Sequence, residues 1–451
     1  MFKKFTNGCV TLVQRYLPDP FLFASILTII VFISGTLVTK QTPIAMLVHW
    51  NKGFWSLLTF GMQMALIVVT GHTLASTPIA NKGIKKIASI PKNPWQAIMI
   101  TTLVGAIACW INWGFGLILG AILAKEIAKK VKKVDYRLLI ASAYSGFVVW
   151  HGGLSGSIPL TIAAGGKDLE SISGGVITSA IPTSQTIFSY YNIIIIIAIL
   201  VTLPIVNWLM HPKGDKIFEI DTKLLEEDTT KIVIDYKNMT PAQKLENSPI
   251  VSLLLGLMGI SFIIYYFATN GFKLDLNIVN FTFLFLSILF HGTPRKFLNA
   301  ATAGVRATTG VIIQFPFYAG IMGMMIGANA QGISLGGSIA NGLISIANQN
   351  TLPVFTVLST AFCTIFIPSG GGEWALQAPI IMPAAQQLAV NPSVAAMAIA
   401  WGDAWACLIQ PFWALPALAI AGLNARDIMG YCIVDLLITG VIIIGAFLIL
   451  V

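Results

Sequence analysis

The run WHGGLSGSIP at 150–159 puts a histidine, two serines and three glycines into an otherwise apolar stretch. A helix interrupted there exposes backbone N–H groups where its next segment starts, and those groups carry roughly half a positive charge. The N–H groups following Gly153, with the hydroxyls of Ser155 and Ser157, form a cradle for a carboxylate that needs no lysine or arginine. His151 and Trp150 stand beside it, and His151 either touches substrate or hydrogen-bonds a carbonyl in a packed core. A second cradle of the same kind is Ser369, Gly370 and Gly371 in IPSGGGEWAL at 367–376. Helix ends carry the opposite partial charge, so carbonyls near Asn112, in WINWGFGL at 110–117, suit a cation. Asp403 is a carboxylate inside an apolar run, where it is costly and by default functional. Glu373 either joins it on an ion or caps its own helix. Asn112, Asp403 and Glu373 are therefore the expected ion-coupling residues, with a sodium site near Asn112 and Ser369.

These residues must be held by membrane-spanning helices. The 451 residues are 56% hydrophobic and 10% charged, whereas soluble domains carry about 25% charged residues. Apolar runs near the length of a bilayer crossing recur at 21–39, 187–210, 251–266 and 428–451. The net charge of +9 does not point to nucleic acid, because the basic residues fall in short clusters between apolar runs, at 82–92, 125–137, 213–244 and 295–306. Such clusters mark cytoplasmic loops and put the N-terminus in the cytoplasm. The first span follows a basic amphipathic start and is read as retained rather than as a cleaved signal. Five scattered cysteines without a CxxC pair indicate neither disulfides nor metal.

Counting crossings between the basic clusters gives 21–39 outward and 53–74 inward. The short segments 95–111 and 114–130 then form a re-entrant hairpin, followed by a span at 136–163 broken at 150–159 and a return at 187–209. Superimposing Asn112 on Ser369, a shift of 257 positions, aligns Tyr144 with Trp401, Trp150 with Cys407 and Pro159 with Pro416. The second half thus repeats the order of turn, short helices and broken span. Its hairpin at 353–389 has uncharged flanks and is expected to enter from outside, with an extra span at 249–268 inverting it. The expected fold is an all-α polytopic membrane protein of two inverted repeats, 1–210 and 249–451, joined by a cytoplasmic linker at 211–248. Four unwound segments should converge: 112–116, 369–373, 150–159 and 402–416. Trp110, Trp113, Trp150, Trp374, Trp401, Trp405 and Trp413 cluster at those interruptions, which favours a pocket lining over an interfacial belt.

The stretches INWGFGLILGAILAKEIAKKV, AYSGFVVWHGGLSGSIPLTIA, FIPSGGGEWALQAP and WGDAWACLIQPFWALPALAIAGL resemble the bacterial short-chain fatty acid transporter family over nearly the whole chain. The resemblance implies uptake of monocarboxylates such as butyrate or acetoacetate across the inner membrane. It also implies a fold like that of the ion transporter superfamily, whose members are often sodium-coupled homodimers working elevator fashion. The Ser-Asn-Thr hairpin tips of the dicarboxylate branch are replaced here by Asn112-Trp113-Gly114 and Ser369-Gly370-Gly371, so sodium and proton coupling both stay open. No further cofactor is expected. Competing readings are a carrier of another organic anion and, from GLSG at 153–156, an intramembrane serine protease. The protease reading needs a base within reach of the serine, and His151 is too close in sequence to fold back easily. An enzyme is therefore not expected.

Overall fold

The computed structural model describes all residues except 1, 17–19, 57, 222–224, 226–238, 272–275 and 307. The described residues form helices and connecting turns with no strand, as expected of an all-α membrane protein. Among the described residues seven helices are long and apolar enough to cross a bilayer, or eight if the bent pair Pro392–Ala406 and Pro411–Ala421 is one crossing.

The helices sort into a peripheral group and a central one. In the peripheral group, Pro20–Thr39 and Pro43–Ser56 pack on Thr309–Ile326, while Leu276–His291 and Pro294–Arg306 pack on Leu58–Ala75. Each half thus lends a helix to the other. One close crossing is glycine on glycine: a Cβ on Gly53 would lie 2.6 Å from Gly323 Cα, and one on Gly323 2.5 Å from Gly53 Cα. Small residues let membrane helices approach until backbones touch, which is the dispersion contact available when lipid is as apolar as leucine.

The central group holds two helical hairpins, two interrupted crossings and two long helices. In the first hairpin, Pro94–Ile111 and Trp113–Ala128 are separated by Asn112 alone. Leu352–Thr364 and Gly370–Gln387 form the second. Their tips share one conformation. Asn112 has φ −152°, ψ 120° and its Oδ1 accepts from Phe115 N at 2.9 Å; Ser369 has φ −157°, ψ 117° and its Oγ accepts from Gly372 N at 3.2 Å. Different side chains thus supply the same N-cap, each satisfying a donor left over at a helix start.

The four expected interruptions are all corrected in extent, and of 112–116 Asn112 alone lies outside a helix. The first interrupted crossing is Tyr136–Ser145, a 3-10 segment Gly146–Gly152, and Ser157–Ala164, so unwinding begins before Trp150 and ends before Ser157. Close backbone approach is the cause, since a Cβ on Gly146 would lie 2.4 Å from Ala106 N of the first hairpin. In the second interrupted crossing Gly402 and Pro416 are helical, and the break is confined to 407–410. Gln410 starts the next helix there, its Oε1 accepting from Phe412 N at 2.7 Å with Pro411 at the first helical position. Gly402 serves packing, its absent Cβ making room for Val357 O. Gly370 to Glu373 are likewise the first turn of a helix rather than an open loop, because Ser369 caps them.

The inward crossing expected at 53–74 starts earlier, at Pro43. Much of the expected linker 211–248 lies outside the described residues. Its start clasps the first interrupted crossing: Asp135 accepts from Leu138 N at 2.9 Å and Phe218 N at 2.8 Å, and Arg137 lies over the Phe218 ring.

Candidate functional site

His151 is carried by the 3-10 segment and is fully buried. Its Nδ1 lies 3.0 Å from Ala400 O and 3.1 Å from Asp403 Oδ2, both acceptors, so Nδ1 bears a hydrogen. The ring lies on Trp150, with centroids 3.5 Å apart. Nε2 has no partner and faces the tip of the second hairpin, where a Cβ on Gly370 would lie 2.7 Å from it. The histidine therefore bonds a carbonyl, one of the two roles weighed from its sequence position, and leaves its other ring nitrogen facing Gly370.

Asp403 sits on Pro392–Ala406, wholly buried, with Oδ1 accepting from Thr364 Oγ1 at 3.0 Å. Thr364 ends the first arm of the second hairpin. Glu373, in the first turn of the other arm, is also wholly buried beside Gln377, Thr364 and Asp403, and neither carboxylate oxygen meets ordinary hydrogen-bond geometry. His151, Asp403, Glu373, Ser369, Gly370 and Trp150 are thus brought into one neighbourhood. Gly371 is next to it but open, with Ser369 Oγ at 4.0 Å from a Cβ placed there.

The remaining expected residues meet the first hairpin instead. Leu154 N donates to Trp110 O at 2.8 Å, and Trp113 N donates to Ser155 Oγ at 3.0 Å. Gly153 is required for this approach, since its Cβ would lie 2.2 Å from Trp110 O. Ser155 and the N–H after Gly153 are accordingly engaged by the hairpin tip. Ser157 is half-buried, and its carbonyl accepts from Thr161 Oγ1. Asn112 Oδ1 and Ser369 Oγ are occupied as helix caps.

Between the two tips lies an aromatic wall. Trp113, Phe147, Trp150 and Trp413 are buried with ring centroids 5.2 to 6.3 Å apart, Phe147 stacked parallel on Trp150. Polar ties hold the interruptions across the halves. Tyr144 Oη donates to Cys407 O at 2.5 Å. Its aligned counterpart Trp401 donates from Nε1 to Asn192 Oδ1 at 2.9 Å, and Asn192 Nδ2 donates to Gly152 O at 3.0 Å. Each aromatic thereby reaches the break of the opposite half.

Thr364, Gln377 and Asn192 were missed in the sequence, as was a further buried carboxylate, Asp435, on Ala425–Ile449. The signal that could have found them is a polar side chain inside an apolar helix, which is rare where there is no water to hydrate it. Among the described residues the ion pairs are Lys129–Glu126, Arg295–Glu246 and His151–Asp403, and the last of these alone is fully buried. An anion reaching this neighbourhood would meet imidazole and backbone N–H groups, with no lysine or arginine pairing in the cluster.

The arrangement can be set beside known proteins. The family model described as "Short chain fatty acid transporter" matches residues 1–450. A protein of Escherichia coli K12 named for short-chain fatty acid transport is 46% identical over 442 residues, covering 98% of each chain. Another of that name from Haemophilus influenzae is 44% identical over 454 residues, covering 99% of this chain and 100% of that one. Among solved structures, the YdaH transporter of Alcanivorax borkumensis aligns with a TM-score of 0.44 at 14% identity over 96% of this chain and 97% of that chain. The Neisseria gonorrhoeae MtrF efflux pump aligns with a TM-score of 0.42 at 15% identity over 99% and 97%. Those scores are too low to carry an argument. The sequence matches span both hairpins, both interrupted crossings and the long helices around them, and the chain belongs to the short-chain fatty acid transporter family.

Proposed function

We propose that this chain is a secondary transporter that takes up short-chain monocarboxylates such as butyrate or acetoacetate across the bacterial inner membrane. The observation that carries this reading is the unpartnered His151 Nε2 facing Gly370 beside a wall of tryptophan and phenylalanine. With Nδ1–H directed at Ala400 O and Asp403, Nε2 is a lone pair in the neutral ring and a donor in the imidazolium. A carboxylate is held there only by the protonated ring, which brings one proton with each anion. The backbone N–H groups of Gly370 and Gly371 complete the cradle at the start of a capped helix, with the hydroxyl of Ser369 beside them. The aromatic wall suits an aliphatic tail of a few carbons, and a second carboxylate would find no basic side chain.

Inverted repeats, re-entrant hairpins, a cytoplasmic N-terminus and an elevator motion of the central helices against the peripheral ones belong to the same reading, as does a homodimer. It is supported by the matching conformations of the two tips and the reciprocal packing of the halves. Withdrawal of the second hairpin tip from His151 would open the site to one side. Asp403 and Glu373 then share the coupled cation, a proton through His151 or a sodium ion on the Ser369 side of the aromatic wall. The protease reading is disfavoured because Ser155 Oγ accepts from Trp113 N, while both nitrogens of His151 face other groups.

The test is uptake of labelled butyrate, succinate and glutamate into proteoliposomes with proton and sodium gradients imposed separately. Butyrate uptake driven by the proton gradient, and lost in His151→Gln, is the expected result. Preference for succinate or glutamate would overturn the substrate, and drive by sodium alone would overturn the role of His151 as proton carrier.

A further inference from the structure

A threonine inside a membrane helix can satisfy its hydroxyl on its own helix. Thr28, Thr36, Thr70, Thr73 and Thr102 do so, each donating to the carbonyl four residues back at 2.6 to 2.8 Å. The first arm of the second hairpin, Leu352–Thr364, behaves differently. Its Thr356, Thr360 and Thr364 are wholly buried, yet Thr364 gives its hydrogen to Asp403, and the hydroxyls of Thr356 and Thr360 have no partner. A buried hydroxyl left unmatched is costly, and here the helix carbonyl that would match it is passed over.

Spaced four apart, the three threonines share one side of the arm, about 6 Å apart along its axis. Other buried polar groups meet that side. Thr360 crosses the next helix at Gly402, beside Asp403, where a Cβ on the glycine would lie 2.8 Å from Thr360 Cβ. From the second arm, Gln377 Oε1 accepts from Ser359 Oγ at 3.4 Å, and Glu373, one turn away, lies beside Gln377 and Thr364. A polar seam thus runs between the arms from Thr356 to Asp403. Its far end is one turn from Leu352, where the arm begins after the exposed Asn348, Gln349 and Asn350. That uncharged flank is the one expected outside, at the opposite end of the arms from the tip that faces His151.

We propose that this seam is a proton path from the outer side to the Asp403–Glu373 pair, separate from the route by which the anion reaches His151. Hydroxyls about 6 Å apart do not bond directly, but two O–H···O bonds end to end cover about 5.6 Å. One water between successive rungs, admitted when the arms part, completes the chain. Each hydroxyl accepts a proton on one side and gives up its own hydrogen on the other, so it ends as it began and the proton ends on the carboxylate pair. One negative charge then remains opposite the imidazolium, and an anion arriving at Nε2 meets a balanced pair.

The path rests on the transport reading, and proteoliposomes separate the two. Thr360→Val keeps the side-chain shape and removes the hydroxyl. Proton-driven uptake of labelled butyrate should fall about tenfold, the rate equivalent of one hydrogen bond missing from the path. Counterflow, which needs no net proton movement, should stay near wild type, and Tm should not drop because no hydrogen bond within the protein is lost. Thr360→Ser should restore uptake, and Thr356→Val repeats the test one rung away if Thr360→Val does not fold. Unchanged uptake in the valine variants, equal losses of uptake and counterflow, or no rescue by serine would overturn the path while proton-driven uptake by the wild type still stands. A wild type indifferent to the proton gradient would overturn proton coupling and the path together.

Discussion

Replacing Gly370 by alanine adds one methyl group where the second hairpin tip meets His151. Its Cβ would lie 2.7 Å from His151 Nε2, 2.8 Å from Cε1 and 3.3 Å from Trp150 Cη2. Contacts below 3.0 Å need a neighbour to move, and here none is free to. The imidazole is stacked on Trp150 and its Nδ1 is engaged by Ala400 O and Asp403, while Trp150 is backed by Phe147 and Trp413. Overpacking of this kind costs about 1–3 kcal/mol. The penalty falls on the conformation in which the second hairpin rests against His151, and a differential of that size shifts a two-state balance about 5–150-fold. Gly371→Ala is the internal control, because its Cβ would meet only Ser369 Oγ, at 4.0 Å. Both variants lose the same glycine flexibility and gain the same helix propensity. Counterflow of labelled butyrate in proteoliposomes should therefore fall at least fivefold in Gly370→Ala and stay near wild type in Gly371→Ala. Equal rates in the two variants would refute the reasoning, since the contact with His151 is what separates them.

Ser155→Ala removes the acceptor of a buried N–H at the tip of the first hairpin, at a cost of about 1–3 kcal/mol. The expected result is a lower Tm in detergent with an unchanged apparent constant for substrate; the reverse pattern would assign Ser155 to the substrate itself. At the membrane edge, burial pushes the His211 imidazole below its ordinary 6.5, partly opposed by Asp135, and Asp135 N donates to its Nε2 at 3.3 Å. The folded state then binds fewer protons there than the unfolded state, so the stability is full above pH 6.5 and lost as pH falls from there toward the lowered folded value. Burial raises Asp135 above its ordinary 3.8, which works in the opposite sense as pH rises from that value. Thermal unfolding from about pH 7.5 to about pH 5.5 should show a falling Tm in the wild type. His211→Gln should flatten that slope, and an identical slope in the variant would exclude this histidine.

Most of the architecture was legible because a bilayer leaves so few choices. Backbone groups that find no water must bond within helices, so the apolar runs at 21–39, 187–210 and 428–451 could only be crossings. For the same reason the interruptions could be found: glycine, serine and proline together in hydrocarbon mark a place where the helix stops. Their edges were less legible. Ser157–Pro159, Gly370–Glu373 and the two ends of 402–416 carry turn-forming residues that the chain winds into helix; Ser369 caps the second of these, Gln410 caps the turn from Pro411, and Gly402 is needed against Val357 O rather than for a bend.

The partnerships were not legible at all. Ser155 and His151 are four positions apart, yet one holds the first hairpin and the other faces the second, because the 3-10 segment and the turn after it send them to different neighbours. Asn207, Asp435, Thr102 and Ser145 meet across four helices, and no spacing along the chain announces it. Sequence alone determined that this protein is a bundle of membrane helices with breaks at particular glycines, since the cost of an unpaired backbone group in lipid acts locally. Which polar atoms face one another was decided by the tertiary structure, since hydrogen bonds and buried charges depend on distances that only the packed helices set.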